Sequence, residues 1–197
     1  MRKRLTLISS LAVLALAAAF MQSTVLAHDG KHPDDPNPSP NATASQVVGF
    51  TKVSLSYGRP GVKDRTIWGE LVPYNGGDPR PWMGGANFST IITFDEDVKI
   101  DGNTIEAGSY GLFLIPAEDE WTIIFSTDSS QYGFTKYTAD KDALRIKVAP
   151  EEATYQEWLS YDFEKTGELT ADLSLHWERL KVAFTIEAPD HRTQKDD

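Results

Sequence analysis

Cysteine is absent from the 197 residues. No disulfide can form, no lipid can be attached through a cysteine thiol, and the fold must rest on a hydrophobic core. Basic residues are scarce as well: 19 Lys and Arg stand against 29 Asp and Glu, a formal charge of -10. Such a surface repels phosphate backbones and anionic membrane faces, so nucleic acid is not expected as a partner. The chain also lacks a bilayer-length apolar run. Its longest, from Leu5 to Phe20, is about 16 residues where roughly 20 are needed.

That run is framed as a leader. MRKR precedes it, and MQSTVLA with the small residue Ala27 leads into the polar HDGKHPDD. The pattern predicts a signal peptide over residues 1–27, a periplasmic or secreted protein, and no membrane insertion after cleavage. Loss of Arg2, Lys3 and Arg4 leaves 16 cations against 29 carboxylates, a formal charge near -13. Residues 28–45, HDGKHPDDPNPSPNATAS, carry too little apolar surface to offset their ordering entropy and read as a disordered linker. Residues 189–197 read as a disordered tail. Residues 46–188 between them form one domain without internal repeats.

Period-two alternation dominates that domain. Val53, Leu55 and Tyr57 share one face of TKVSLSY, and Trp121, Ile123 and Phe125 one face of WTIIFS. Tyr155, Leu159, Tyr161 and Phe163 fall together in YQEWLSYDF. Leu169 to Trp177 alternate cleanly, and after an ERL reversal Leu180, Val182, Phe184 and Ile186 form a further strand. Asp101-Gly102 between VKI and TIEAG is a two-residue hairpin signal. Further strands are expected at Ser89–Phe94 and Leu144–Val148. The pattern predicts an all-β antiparallel β-sandwich or jelly-roll-like barrel of about eight or nine strands. One helical turn is expected in DRTIWGELVP, capped by Asp64, with Ile67, Trp68 and Leu71 on one side and Pro73 as its stop.

The densest chemistry lies in YGRPGVKDRTIWGELVPYN and the loop after it. Arg59, Lys63, Arg65 and Arg80 are a local excess of cations in an acidic chain, Tyr74 and Trp82 supply flat faces, and Asn87 a bidentate amide. Guanidinium forks suit carboxylates or phosphates, and aromatic faces suit sugars or prolines, so these residues are the candidate ligand-binding set. The alternative is a structural corner, with Pro60-Gly61 at the centre of a type II turn and the cations paired to Asp64, Glu70 or Asp78.

Other candidates are weaker. His176 shares a strand face with Ser174 and Asp172, as residues of any wet strand do, so catalytic residues stay unknown. His28 and His32 form an arm that could chelate metal through the new amino terminus, yet a polar linker beginning with His is commoner, and no metal site or cofactor is assigned. DEDVKIDGN lacks the spacing of a calcium loop. Trp121 and Trp177 point inward, whereas Trp158, opposite Leu159 and Tyr161, is either covered or an exposed docking surface.

The segments SQVVGFTKVSLSYGRPGVKDRTIWGELVPYN, GANFSTIITFDEDVKIDGNTIEAGSYGLFLIPAEDEWTIIFS and LSLHWERLKVAFTI resemble the bacterial secreted domain of unknown function numbered 2911. The resemblance covers about Ser45 to Glu187 and implies an all-β envelope protein without an assigned activity, cofactor or substrate. The family pattern Trp-Arg-x-Gly-Ala-Asn-Glu is altered here, with Met83 in place of the arginine and Phe88 in place of the glutamate. The sequence thus predicts a non-catalytic binding module for a small molecule, a glycan or an envelope protein. The alternative is an envelope hydrolase acting on a glycan or peptide.

Overall fold

A computed structural model describes residues 37–76, 81–129 and 137–193. The leader, the His28/His32 arm, Arg80 and residues 194–197 lie outside the described residues. Ten strands follow in order: β1 Asn41–Val48, β2 Thr51–Gly58, β3 Thr90–Phe94, β4 Val98–Ile100, β5 Asn103–Ile105, β6 Gly108–Ile115, β7 Trp121–Ser126, β8 Asp142–Val148, β9 Glu151–Lys165 and β10 Thr170–Glu187. They build two antiparallel sheets, one ordered β1-β2-β3-β6-β7-β8 and the other β5-β4-β10-β9. This is the expected all-β sandwich, with ten strands.

Alternation explains the core. Val53, Leu55, Ile92, Phe94, Leu112, Leu114, Trp121, Ile123 and Phe125 face inward from the larger sheet and are almost fully buried. Leu159, Tyr161, Leu173, Leu175, Trp177, Val182, Phe184 and Ile186 answer from the smaller one. The β4–β5 hairpin turns on Asp101 and Gly102, both at positive φ (46° and 80°), as its two-residue signal requires. Four tryptophans cluster in the interior: Trp68 touches Trp82, Trp121 and Trp177 at ring separations of 5.9, 5.0 and 5.8 Å.

Several sequence expectations change. The linker assigned to residues 28–45 overlaps β1, which begins at Asn41. The strand carries few apolar atoms because it is secured by a ladder to β2 running from Asn41↔Gly58 to Val48↔Thr51 and needs only Ala42, Ala44 and Val48 on the core side. The tail assigned to 189–197 includes a turn of 3-10 helix at His191–Thr193. There His191 bonds Glu96 at 2.8 Å and Arg192 bonds Glu168 at 2.7 Å.

The expected ERL reversal is a bulge within one 18-residue strand. Glu178 sits at φ 56° and the register to β9 shifts around it. The left-handed backbone at Glu178 swaps the faces of everything beyond it, so odd-numbered residues point inward up to Trp177 and even-numbered ones from Val182. The extra residues of the shifted register lie in β9, which runs from Ser160 to Glu152 as β10 runs from His176 to Leu180. The same irregularity leaves Tyr155 49% exposed rather than aligned with Leu159 and Tyr161. The helical turn expected near Asp64 is a compact loop instead, in which Val72 N–H donates to Ile67 O (2.9 Å) and Gly69 N–H to Val72 O (3.0 Å). Lys63 and Asp64 both have positive φ there, which a helix cannot accommodate.

Candidate functional site

The corner after β2 acts as a short strand. β9 leaves its ladder with β10 between Gln156 and Ser160. In that gap Val62 N–H donates to Glu157 O at 2.8 Å and Leu159 N–H to Pro60 O at 3.0 Å, making Gly61 and Trp158 cross-strand partners. Gly61 does not have the positive φ that a type II turn demands, so that expectation is corrected. Glycine is needed for room: a Cβ there would lie 2.9 Å from Glu157 Oε1 and 3.2 Å from the Trp158 ring.

The predicted cations act on this corner. Arg59 Nε donates to Leu159 O at 2.8 Å. Arg65 folds back onto its own turn, donating from Nε to Val62 O (3.0 Å) and from a terminal nitrogen to Gly61 O (2.6 Å). The partners in these bonds are backbone carbonyls, not Asp64 or Glu70. Lys63 donates its backbone N–H to Glu157 Oε1 at 3.0 Å, while its ammonium lies 5.5 Å from the centre of the Trp158 ring. Hydrogen bonds from Tyr155 and from Lys63 N–H hold the Glu157 carboxyl below its usual range.

Three consecutive carbonyls of the segment entering β1 are captured here. Lys63 Nζ binds Pro38 O (3.0 Å), Asn87 Nδ2 binds Ser39 O (3.0 Å) and Arg59 N–H binds Pro40 O (2.8 Å). The corner therefore clasps an extended stretch of its own chain. The two aromatic candidates do not offer open faces. Trp82 is 6% exposed, bonds Gly85 O through its indole N–H and pairs with Leu114 through its backbone; Tyr74 is half-buried over Gly69. Met83 is buried in the core.

His176, Ser174 and Asp172 do not converge. His176 Nε2 donates to Thr154 O at 2.8 Å, Asp172 accepts from the Thr185 hydroxyl at 2.7 Å, and Ser174 is buried with its hydroxyl near Asp162 O. Among the described residues no group of three or more His, Asp or Glu side chains is arranged to hold a metal.

Space for a ligand lies on the outer face of the larger sheet. Across β6 and β7 that face is covered: the Tyr137 ring packs 5.3 Å from that of Phe113, and the Asp128 carbonyl passes over Gly111. Phe113 and Ile124 are consequently buried although they point away from the core. Across β1, β2 and β3 the face stays open, leaving a trough of about 570 Å³. Thr43, Ser56, Ile91, Phe88 and Ser129 line it. A shallower recess of about 270 Å³ shares Thr43, Ser56 and Ile91 and continues toward Ser54 and Thr93.

Residues 39–186, which span the corner, the trough and both sheets, match the family described as "Protein of unknown function (DUF2911)". The chain belongs to this family. No curated protein and no solved structure matches it. In this DUF2911 member the two departures from the family pattern fall in different surroundings: Met83 fills core space, and Phe88 stands 58% exposed beside the trough. Sequence reading missed Thr43, Ser56, Phe88 and Ile91 as a set. The outward hydroxyls of TKVSLSY were the available signal, but β1 had been assigned to the linker, so no neighbouring row could be aligned with them.

Proposed function

We propose that this protein is an exported, non-catalytic binding domain of the bacterial envelope, and that its ligand occupies the trough over β1, β2 and β3. The observation that carries the reading is the trough itself, whose volume falls in the range of small-molecule sites. Its described lining of hydroxyl, amide and apolar side chains suits contact with a ligand. Three of the predicted residues then serve it indirectly, because the Lys63 ammonium, the Asn87 amide and the Arg59 backbone N–H hold Pro38, Ser39 and Pro40 and so fix the start of β1, one side of the trough. Export rests on the leader pattern in residues 1–27.

The test is a thermal-shift panel of oligosaccharides, short peptides, laurate and divalent metals, run on the mature chain and on Ser56→Trp. Ser56 is exposed, and a tryptophan there fills the trough while suiting a strand. A compound that raises the melting temperature of the mature chain but not of the variant supports the reading. Equal shifts in both proteins, or turnover of any compound, would overturn it.

A further inference from the structure

The chemistry of the trough narrows its ligand. Charged residues make up 24% of the chain, yet none of the trough's described lining residues is charged. Among the described lining residues of the trough a phosphate or carboxylate would meet no counter-charge, in a protein already carrying a formal charge of -10, and Lys52 stands only along the adjoining recess. A long aliphatic ligand would cover the hydroxyls set among the trough's apolar surface and leave them without partners. Thr43 faces Ser56 across β1–β2, Ser45 faces Ser54, and Ser54 faces Thr93 across β2–β3. Thr93 and Ser109 bond one another at 2.8 Å, whereas the hydroxyls of Thr43, Ser45, Ser54 and Ser56 have no protein partner among the described residues. They are free to exchange water for the hydroxyls of a ligand.

Two apolar side chains interrupt this polar lattice. Phe88 is 58% exposed and Ile91 is half-buried, both lining the trough. A pyranose presents the same combination, a patch of C–H bonds on one face and hydroxyls around the rim, and aromatic rings pack against the former. A peptide adding as a strand needs open backbone donors and acceptors at a sheet edge. Over the floor the backbones of β2 and β3 are already paired on both sides and only side chains are presented; the one open edge beside it is that of β1, which pairs with β2 alone.

We infer that the trough binds a neutral oligosaccharide, with Phe88 packed on a sugar ring and the Thr43, Ser54 and Ser56 hydroxyls bonding its rim. The recess shared by Thr43, Ser56 and Ile91 continues the same surface toward Ser54, Thr93 and the cation Lys52, so the site accommodates more than one ring, with the uncharged trough holding the ring against Phe88. The inference rests on the trough being the binding site.

Calorimetric titration of the mature chain tests it, with cellohexaose, maltohexaose and chitohexaose as neutral probes, polygalacturonate as an anionic probe and laurate as an apolar one. At least one neutral hexasaccharide is expected to bind. Phe88→Ala should weaken that binding about tenfold or more, and Thr43→Val with Ser56→Val should weaken it further. The melting temperature of Phe88→Ala is measured alongside, so that a loss of binding is separated from a loss of fold. Binding only of polygalacturonate or laurate, lost in Ser56→Trp, would overturn the sugar assignment and leave the trough as the site. Hexasaccharide binding that is indifferent to Phe88→Ala and Ser56→Trp would overturn both, as would no binding by any probe.

Discussion

The guanidinium Nε of Arg59 donates to the carbonyl oxygen of Leu159 at 2.8 Å, joining positions 100 residues apart. One end of this bond follows β2 of the larger sheet and the other lies in β9 of the smaller, so it ties the sheets together. Arg65, by contrast, closes only its own turn. Arg59→Ala leaves a partly buried carbonyl without its donor and should cost on the order of 1–3 kcal/mol. Arg65→Ala should cost less. Chemical denaturation of the two variants checks the order, and a parent-like Arg59→Ala would show that the corner is not structural.

The tryptophans divide sharply. Trp68, Trp82, Trp121 and Trp177 form the interior cluster, with Trp82 and Trp177 stacked 6.0 Å apart, while Trp158 alone is 37% exposed at the surface. Acrylamide should therefore quench a minor part of the emission, and Trp158→Phe should remove most of that part. The near-ultraviolet circular dichroism of the cluster should persist in Trp158→Phe and weaken strongly in Trp68→Phe. Quenching that is unchanged in Trp158→Phe would contradict the arrangement.

Glu96 is held below the ordinary glutamate value of 4.5 first by its hydrogen bond to His191, then by that to the Thr51 hydroxyl. A carboxylate depressed in the folded state contributes stability above its unfolded value, and that contribution is lost as the pH falls through the folded one. Acidification below about pH 4.5 should release the His191 segment from Glu96, and its ring from that of Phe50 5.8 Å away, before the core melts. The His191 ring resonances report this directly. Glu96→Gln should abolish the acid dependence of that release, and a parent-like profile would count against the contact.

Tyr137 gives an alkaline counterpart. Burial, followed by its hydrogen bond to the Asp142 carboxylate, pushes its phenol up from 10.0 to about 12. The folded state therefore favours the neutral phenol, and the stability this confers is full below pH 10.0 and lost as pH rises to about 12. Tyr137→Phe should flatten the loss of stability across that window. Denaturation midpoints at several alkaline values measure it, and an unchanged slope would contradict the assignment.

Much of the fold was legible because one wet face and one dry face per strand leave a period of two in the sequence. Val53–Leu55–Tyr57 and Trp121–Ile123–Phe125 point inward as that period requires. What failed did so where pairing, not composition, made the strand. β1 is polar and looked like linker because its stability comes from the ladder to β2. β10 looked like two strands because the bulge at Glu178 reverses its faces. The cation cluster was visible, but its partners Pro38, Leu159 and Gly61 are backbone carbonyls, which leave no mark on a sequence. Phe88 was visible as a departure from the family pattern, and its place beside the trough came only from the folded chain.

The central claim is that ligand meets the protein over β1, β2 and β3 rather than at the exposed aromatic pair Tyr155 and Trp158. Amide chemical-shift mapping of isotope-labelled residues 28–197 with cellohexaose, maltohexaose or chitohexaose separates the two most directly. The account predicts shifts concentrated at Thr43, Ser56, Phe88 and Ile91, with the Trp158 indole signal unmoved. Shifts centred on Trp158, Tyr155 and Lys63 with the trough silent would contradict it.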